Sequence, residues 1–161
     1  MTNILIPTDF SAASFDMAEQ AVKCLNREVN IILFHAYEMP FFYMDLYRMD
    51  KPPYYNMLND NFRQGCKQLK ERYPHLINKI CFQYMQGNTN ILFKNFAAAN
   101  DIHLIVCPAT YVYTKTHARS LNPIPFFKKS GIPILQDLTV VKRPAEETIG
   151  VHAENALATA W

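Results

Sequence analysis

The chain has 161 residues, half of them hydrophobic and 19% charged, which suits one globular domain with a proper core and excludes a disordered chain. A net charge of +2 without a long basic run argues against a nucleic-acid partner. No apolar stretch approaches the ~20 residues of a membrane span, and no signal-peptide pattern opens the chain, so the expected location is cytoplasmic. Cys24, Cys66, Cys81 and Cys107 are scattered with no C-x-x-C pair. Buried free thiols in a reducing compartment are therefore expected. The histidines are dispersed too, and no metal site is expected.

Residues 3–7 are a short apolar run without alternation, the pattern of a strand covered on both faces. The run ends at Pro7-Thr8-Asp9, and Ser11 then suits the N-cap of a helix. Phe15, Ala18, Val22 and Leu25 form the apolar face of that helix. Asp16 and Glu19 come early and Lys23 and Arg27 late, complementing the dipole, and the helix should end near Asn26. Val29–Tyr37 reads as a second strand. Strand, helix and strand make a βαβ unit with a right-handed crossover, so the two strands should be parallel.

The stretch 37–53 is crowded with aromatics and methionines. It reads either as a connection folded onto its own domain or as an adaptable surface, a lid or a subunit contact. A second helix is expected from about Tyr54 to Tyr73, with Tyr55, Leu58, Phe62, Cys66, Leu69 and Tyr73 on one face and Pro74 as its stop. Lys79–Met85 is the third strand. A third helix follows, capped by Asn88, Thr89 or Asn90, with Leu92, Phe96 and Ala99 on one face. His103–Cys107 is the fourth strand, ending at Pro108.

After a polar loop, Asn122 is the expected N-cap of a short fourth helix, with Pro123 at its first position and Gly131 as its breaker. A fifth strand starts at Ile132, with 137–141 as a possible extension. The tail 142–161 allows an amphipathic helix, disorder or docking on a partner. The expected domain is thus 1–141, a three-layer α/β/α sandwich around a five-stranded parallel sheet. The ends of strands one and four should be neighbours, and ligands of open α/β sheets bind at such carboxyl edges. Pro7, Thr8, Asp9, Ala36, Gly87, Pro108, Ala109 and Thr110 are the candidate ligand residues.

The chain resembles the universal stress protein family. Ile4–Ser11 is similar to its opening I-L-V-P-T-D-F-S, and Ile32–Tyr37 to its second-strand L-L-H-V-Y. Gly87 sits where the family has a glycine after strand three. Residues 97–107 and 128–135 resemble its closing helix, strand, helix and strand. The resemblance implies an adenine-nucleotide α-hydrolase-like, Rossmann-type fold and a homodimer paired through the last strand, with Ile132, Ile134, Leu135 and Leu138 as the candidate dimer edge. An edge strand needs such pairing or protection.

The family's nucleotide-binding branch carries Gly-x-x-Gly, about nine residues, then Gly-Ser or Gly-Thr after strand four. Placed on this chain, those glycines fall at Pro108, Tyr111 and Ser120 or Leu121. Pro123 and Pro125, which lack amide hydrogens, stand in the first turn of the helix that would face the phosphates. The resemblance therefore implies a branch that does not bind ATP phosphates. Asp9 matches an aspartate at the adenosine end of the family's cleft, although a helix-capping or loop-pairing role is equally open to it. His35 reads as a structurally satisfied histidine.

The expected function is a non-catalytic regulatory protein of the stress response, a homodimer without cofactors. The alternative is a small-ligand or AMP-like nucleotide binder using a remodelled cleft at the ends of strands 1 and 4. No P-loop, paired carboxylates or nucleophile beside a base is legible, so no enzyme is expected. A phosphoacceptor receiver domain would need acidic residues that this chain lacks, such as one where Gln86-Gly87-Asn88 stands.

Overall fold

The computed structural model describes residues 1–38 and 57–139. β1 (Thr2–Pro7), α1 (Ala12–Leu25) and β2 (Val29–Tyr37) come first. After them come α2 (Asp60–Arg72), β3 (Ile77–Gln86), α3 (Asn90–Ala99), β4 (Leu104–Val106), β5 (Ser120–Leu121), α4 (Ile124–Lys129) and β6 (Ile134–Leu135). The lid or contact expected in 37–53 falls outside the described residues except for Tyr37 and Glu38. The tail 142–161, residues 140–141 and the start of the second helix with Tyr55 also fall outside them.

Pairing runs β3-β2-β1-β4-β6, all parallel, with β1 at the centre. Side chains alternate across a strand, and this divides the core. Ile4, Ile6, Ile31 and Leu33 pack with α1 and α2 through Ala18, Val22, Phe62 and Leu69. Leu5, Ile32 and Phe34 pack on the other face with α3 and α4 through Phe93, Ala97, Phe126 and Phe127. Burial on both faces explains the unbroken apolar runs. The result is the expected α/β/α sandwich.

The expected five parallel strands are joined by a sixth. β5 pairs antiparallel with β2, matching Ala36 to Leu121 and Tyr37 to Ser120. β1 already ends opposite Phe34, so β5 takes over its side of β2. Two residues flanked by polar loop carry no strand periodicity, and their pairing depends on the partner strand. The last strand is shorter than expected. Pro133 O accepts from Ile105 N at 2.9 Å, but only Ile134–Leu135 is strand, and 136–139 does not extend it.

Helix ends correct several expectations. Asn26, in the left-handed region at φ 47°, closes α1 as expected. Asp16 and Glu19 lie past its first turn, and Arg27 lies beyond its cap. α2 begins at Asp60, where Asn59 caps it by accepting from Phe62 N at 2.9 Å, so Leu58 lies before the helix. Thr89 caps α3, accepting from Leu92 N at 3.1 Å. The buried face of α3 centres on Phe93 and Ala97, and Ala99 is exposed. Ile91, Leu92, Phe93, Phe96 and Ala97 to Ala99 put apolar residues on several sides of the helix, so spacing alone leaves the face ambiguous. Pro123, not Asn122, is the cap residue of α4.

Gly87 has φ 135°, and a Cβ there would lie 2.3 Å from Leu92 Cδ2. Its N–H donates to Tyr37 O at 2.8 Å. The glycine is therefore explained by the turn from β3 into α3. Among the described residues no helix is long and apolar enough to cross a membrane.

Candidate ligand site at the carboxyl edge of the sheet

β1 hands over to α1 through a turn held by its own side chains. Pro7 has no N–H to continue the ladder, and Thr8 N donates to Phe34 O at 2.9 Å. Thr8 Oγ1 donates to Ser14 Oγ at 2.9 Å and accepts from Phe10 N at 3.0 Å, while Ser14 Oγ donates to Ser11 O at 2.8 Å. Asp9 Oδ1 accepts from both the N–H and the hydroxyl of Ser11. Ser11 stands at the cap position of α1, yet its side chain serves Asp9 and not the helix. Phe10 is held at φ 65°, a conformation uncommon for a bulky residue. Its ring packs on His35, Phe62 and Phe82.

His35 is 4% exposed. Its Nδ1 lies 2.7 Å from Thr8 O, and its Nε2 lies 2.7 Å from Ser120 Oγ. A carbonyl only accepts, so Nδ1 carries the proton and Nε2 accepts from the Ser120 hydroxyl. Ser120 Oγ also accepts from His117 N at 3.1 Å. Burial pulls the His35 pKa below its ordinary value and His117 adds to this, against the opposing pull of Thr8 O and Asp9. The residue is structurally satisfied, and it ties β5 to the end of β1. A serine beside a histidine is the pairing that could not be read from the sequence, because the two stand 85 residues apart. Ser120 lines neither of the clefts described below.

Two clefts meet at Tyr111. One lies between Pro7–Asp9, Phe34–Ala36 and the loop Tyr111–Pro123, and it has no water-sized space. The other lies between α1 and residues 108–112, with a volume of about 300 Å³. Pro7, Asp9 and Tyr111 line both. Burial, together with the Asp9 carboxylate, pushes the Tyr111 phenol pKa well up, so it stays protonated near neutral pH.

Of the candidate ligand residues, Pro7, Thr8, Asp9 and Ala36 line the closed cleft, and Pro108 and Thr110 join Pro7 and Asp9 in the open one. Gly87 and Ala109 line neither; Ala109 N donates to Gln136 O at 3.3 Å. Asp16, Met17 and Gln20 complete the open cleft. They lie off the apolar face of α1 formed by Ala18, Val22 and Leu25, and nothing in their spacing marks them as lining. Among the described residues no group of His, Cys, Asp or Glu is placed to hold a metal ion.

The start of α4 has its amides committed. Pro123 and Pro125 have none, Ile124 N donates to Asn122 Oδ1 at 3.1 Å, and Phe126 N and Phe127 N donate to Pro123 O at 3.0 and 3.1 Å.

No protein-family model matches the sequence, and no curated protein does. Solved structures do. The hypothetical protein PH0823 is 19% identical, covers 86% of this chain and 98% of its own, and has a TM-score of 0.51. The hypothetical protein MJ0577 is 19% identical, with 84% and 94% covered and a TM-score of 0.50. A universal stress protein in complex with cAMP is 17% identical, with 84% and 96% covered and a TM-score of 0.48. The first two likenesses show a shared α/β fold, a mostly parallel sheet flanked by helices.

Proposed function

We propose that this is a non-catalytic regulatory protein of the universal stress type, cytoplasmic and homodimeric, which does not hold a nucleoside triphosphate as the family's ATP-binding branch does. The committed start of α4 carries this reading. A helix start binds phosphate through free N–H groups, and here Pro123 and Pro125 carry no N–H while the N–H groups of Ile124, Phe126 and Phe127 already have acceptors. By the resemblance, Tyr111 also replaces a glycine of the family's phosphate loop, where the backbone would need close approach. The four cysteines are free, which supports a reducing compartment.

A thermal shift series with ATP, ADP and AMP tests the nucleotide reading. A ligand at a hundred times its Kd adds about 2.7 kcal/mol, several degrees for a chain of this size. ATP should move the midpoint by less than about 1 °C on that scale; a rise of several degrees would overturn the reading.

β6 supports the dimer, because it is the outer strand of the path and has a neighbour on one side only among the described residues. The candidate edge side chains are committed inward. Leu135 and Leu138 belong to one core layer, and Ile132 and Ile134 pack on the other. Pairing therefore runs through backbone groups. Sedimentation should give the mass of two chains, and a monomer at tens of micromolar would count against it.

The alternative, a small-ligand binder with a remodelled cleft, is favoured by one observation. The open cleft lies at the carboxyl ends of β1 and β4 and, at about 300 Å³, reaches the small end of the range for ligand pockets.

A further inference from the structure

We propose that the open cleft between α1 and residues 108–112 takes a small organic cation, an amine carried on an apolar or aromatic body. The proposal rests on the ligand-binding reading above and names the ligand class for that cleft.

The lining decides the charge. Asp9 and Asp16 contribute carboxylates, and among the described residues no Lys, Arg or His lines the cleft. A phosphate or carboxylate ligand would meet like charge with no counter-ion, whereas an ammonium group would find partners. Asp9 spends one oxygen, Oδ1, on Ser11. The other takes no hydrogen bond among the described residues. The start of α1 favours an anion, but the chain supplies that anion itself through Asp9.

The lining also decides the body of the ligand. Met17, Tyr111 and Val112 give the cleft an apolar side. Val112 is 78% exposed and stands at the mouth of the cleft, where a ligand body could cover it. Methionine adapts to irregular shapes and favours contact with aromatic rings, and the face of Tyr111 can attract a cation. Gln20 and Thr110 add neutral polar groups at the wall.

The test uses the full-length chain and three probes with one ring and different charges: tyramine, 4-ethylphenol and 3-(4-hydroxyphenyl)propanoate. Binding is followed through the backbone amide resonances of Asp16, Gln20 and Val112. Tyramine should bind, 4-ethylphenol should bind at least about fivefold more weakly and the propanoate more weakly still, a fivefold factor being what one exposed ion pair supplies. Asp16→Asn should weaken tyramine on the order of fivefold and leave 4-ethylphenol unchanged. Asp9→Asn should act likewise, because asparagine keeps an acceptor for Ser11 N. If the neutral or anionic probe binds as tightly as tyramine, or if neither Asp variant changes tyramine binding, the cation proposal is overturned and the ligand-binding reading stands. If all three probes leave the cleft resonances unmoved at millimolar concentration, the ligand-binding reading falls with it.

Discussion

Phe93→Ala should lower the free energy of unfolding by about 3–5 kcal/mol, the range for truncating a fully buried phenylalanine. Phe93 is 0% exposed and stands at the centre of an aromatic group. Its ring lies 5.6 Å from Phe34, 5.6 Å from Phe127, 6.2 Å from Phe126 and 6.3 Å from Phe96. These neighbours come from β2, α3 and α4, so the ring joins the sheet to both helices of that layer. α3 buries only Phe93 and Ala97 along its length, and alanine cannot replace the lost contact. The remaining rings are held by backbone on separate elements, which limits collapse into the cavity. Denaturant unfolding should show a lower midpoint with an unchanged slope. Ile91→Ala, on the same helix but 72% exposed, should change stability by no more than about 0.5 kcal/mol. A cost for Phe93→Ala near that control would contradict this packing.

The second large effect concerns His35 and has a definite pH sign. The folded protein holds the ring neutral, with its pKa below the ordinary 6.5. The unfolded chain therefore binds more protons in the window between the folded value and 6.5, and stability rises with pH across it. The contribution is complete above 6.5 and is lost as the pH falls through the window. Urea unfolding of the wild type should show this loss, and His35→Leu should remove that part of the pH dependence. At pH 8 the same variant should be destabilised by about 2–4 kcal/mol, because Thr8 O and the Ser120 hydroxyl lose buried partners. Ser120→Ala should cost less, about 1–3 kcal/mol, by leaving Nε2 without its donor. A wild-type profile parallel to that of His35→Leu below 6.5 would rule out the neutral, buried ring. The consequence reaches the site: with the tie gone, β5 keeps its two-residue pairing with β2, the Glu38 N to Arg119 O bond and the packing of Leu121, and the closed cleft should loosen.

These two predictions differ in how much of their basis the sequence displayed. The layers were legible because apolar runs and helical spacing are local. Ile4–Ile6 and Leu104–Val106 announced strands covered on both faces, and both are fully buried. The neighbourhood of strands one and four followed from the alternating strand and helix order, and the two strands are directly paired, Ile4 with Leu104 and Leu5 with Ile105. The face of α3 was less legible, because every turn of Ile91-Leu92-Phe93 and Phe96-Ala97-Ala98-Ala99 offers an apolar residue on several sides. The edge strand was placed, but its two-residue length was not, since Pro133 and the polar residues after Leu135 only suggest where pairing stops. The open cleft was legible in part. Pro7, Asp9, Pro108 and Thr110 come from strand ends, where the fold predicts ligands; Asp16, Met17 and Gln20 come from a helix whose spacing speaks of its buried side.

By itself the sequence determined the alternating strand and helix order, the polar turn at Pro7-Thr8-Asp9 and the absence of amide hydrogens at Pro123 and Pro125. Each is a property of neighbouring residues or of covalent structure. Only the tertiary structure decided that β5 would lie antiparallel on β2, that Ser120 would meet His35, that Tyr111 would separate two clefts and that Asp9 and Asp16 would share the open one. Those relations join distant residues, or a loop to a helix, and they exist only once the sheet has brought the carboxyl ends of its strands together.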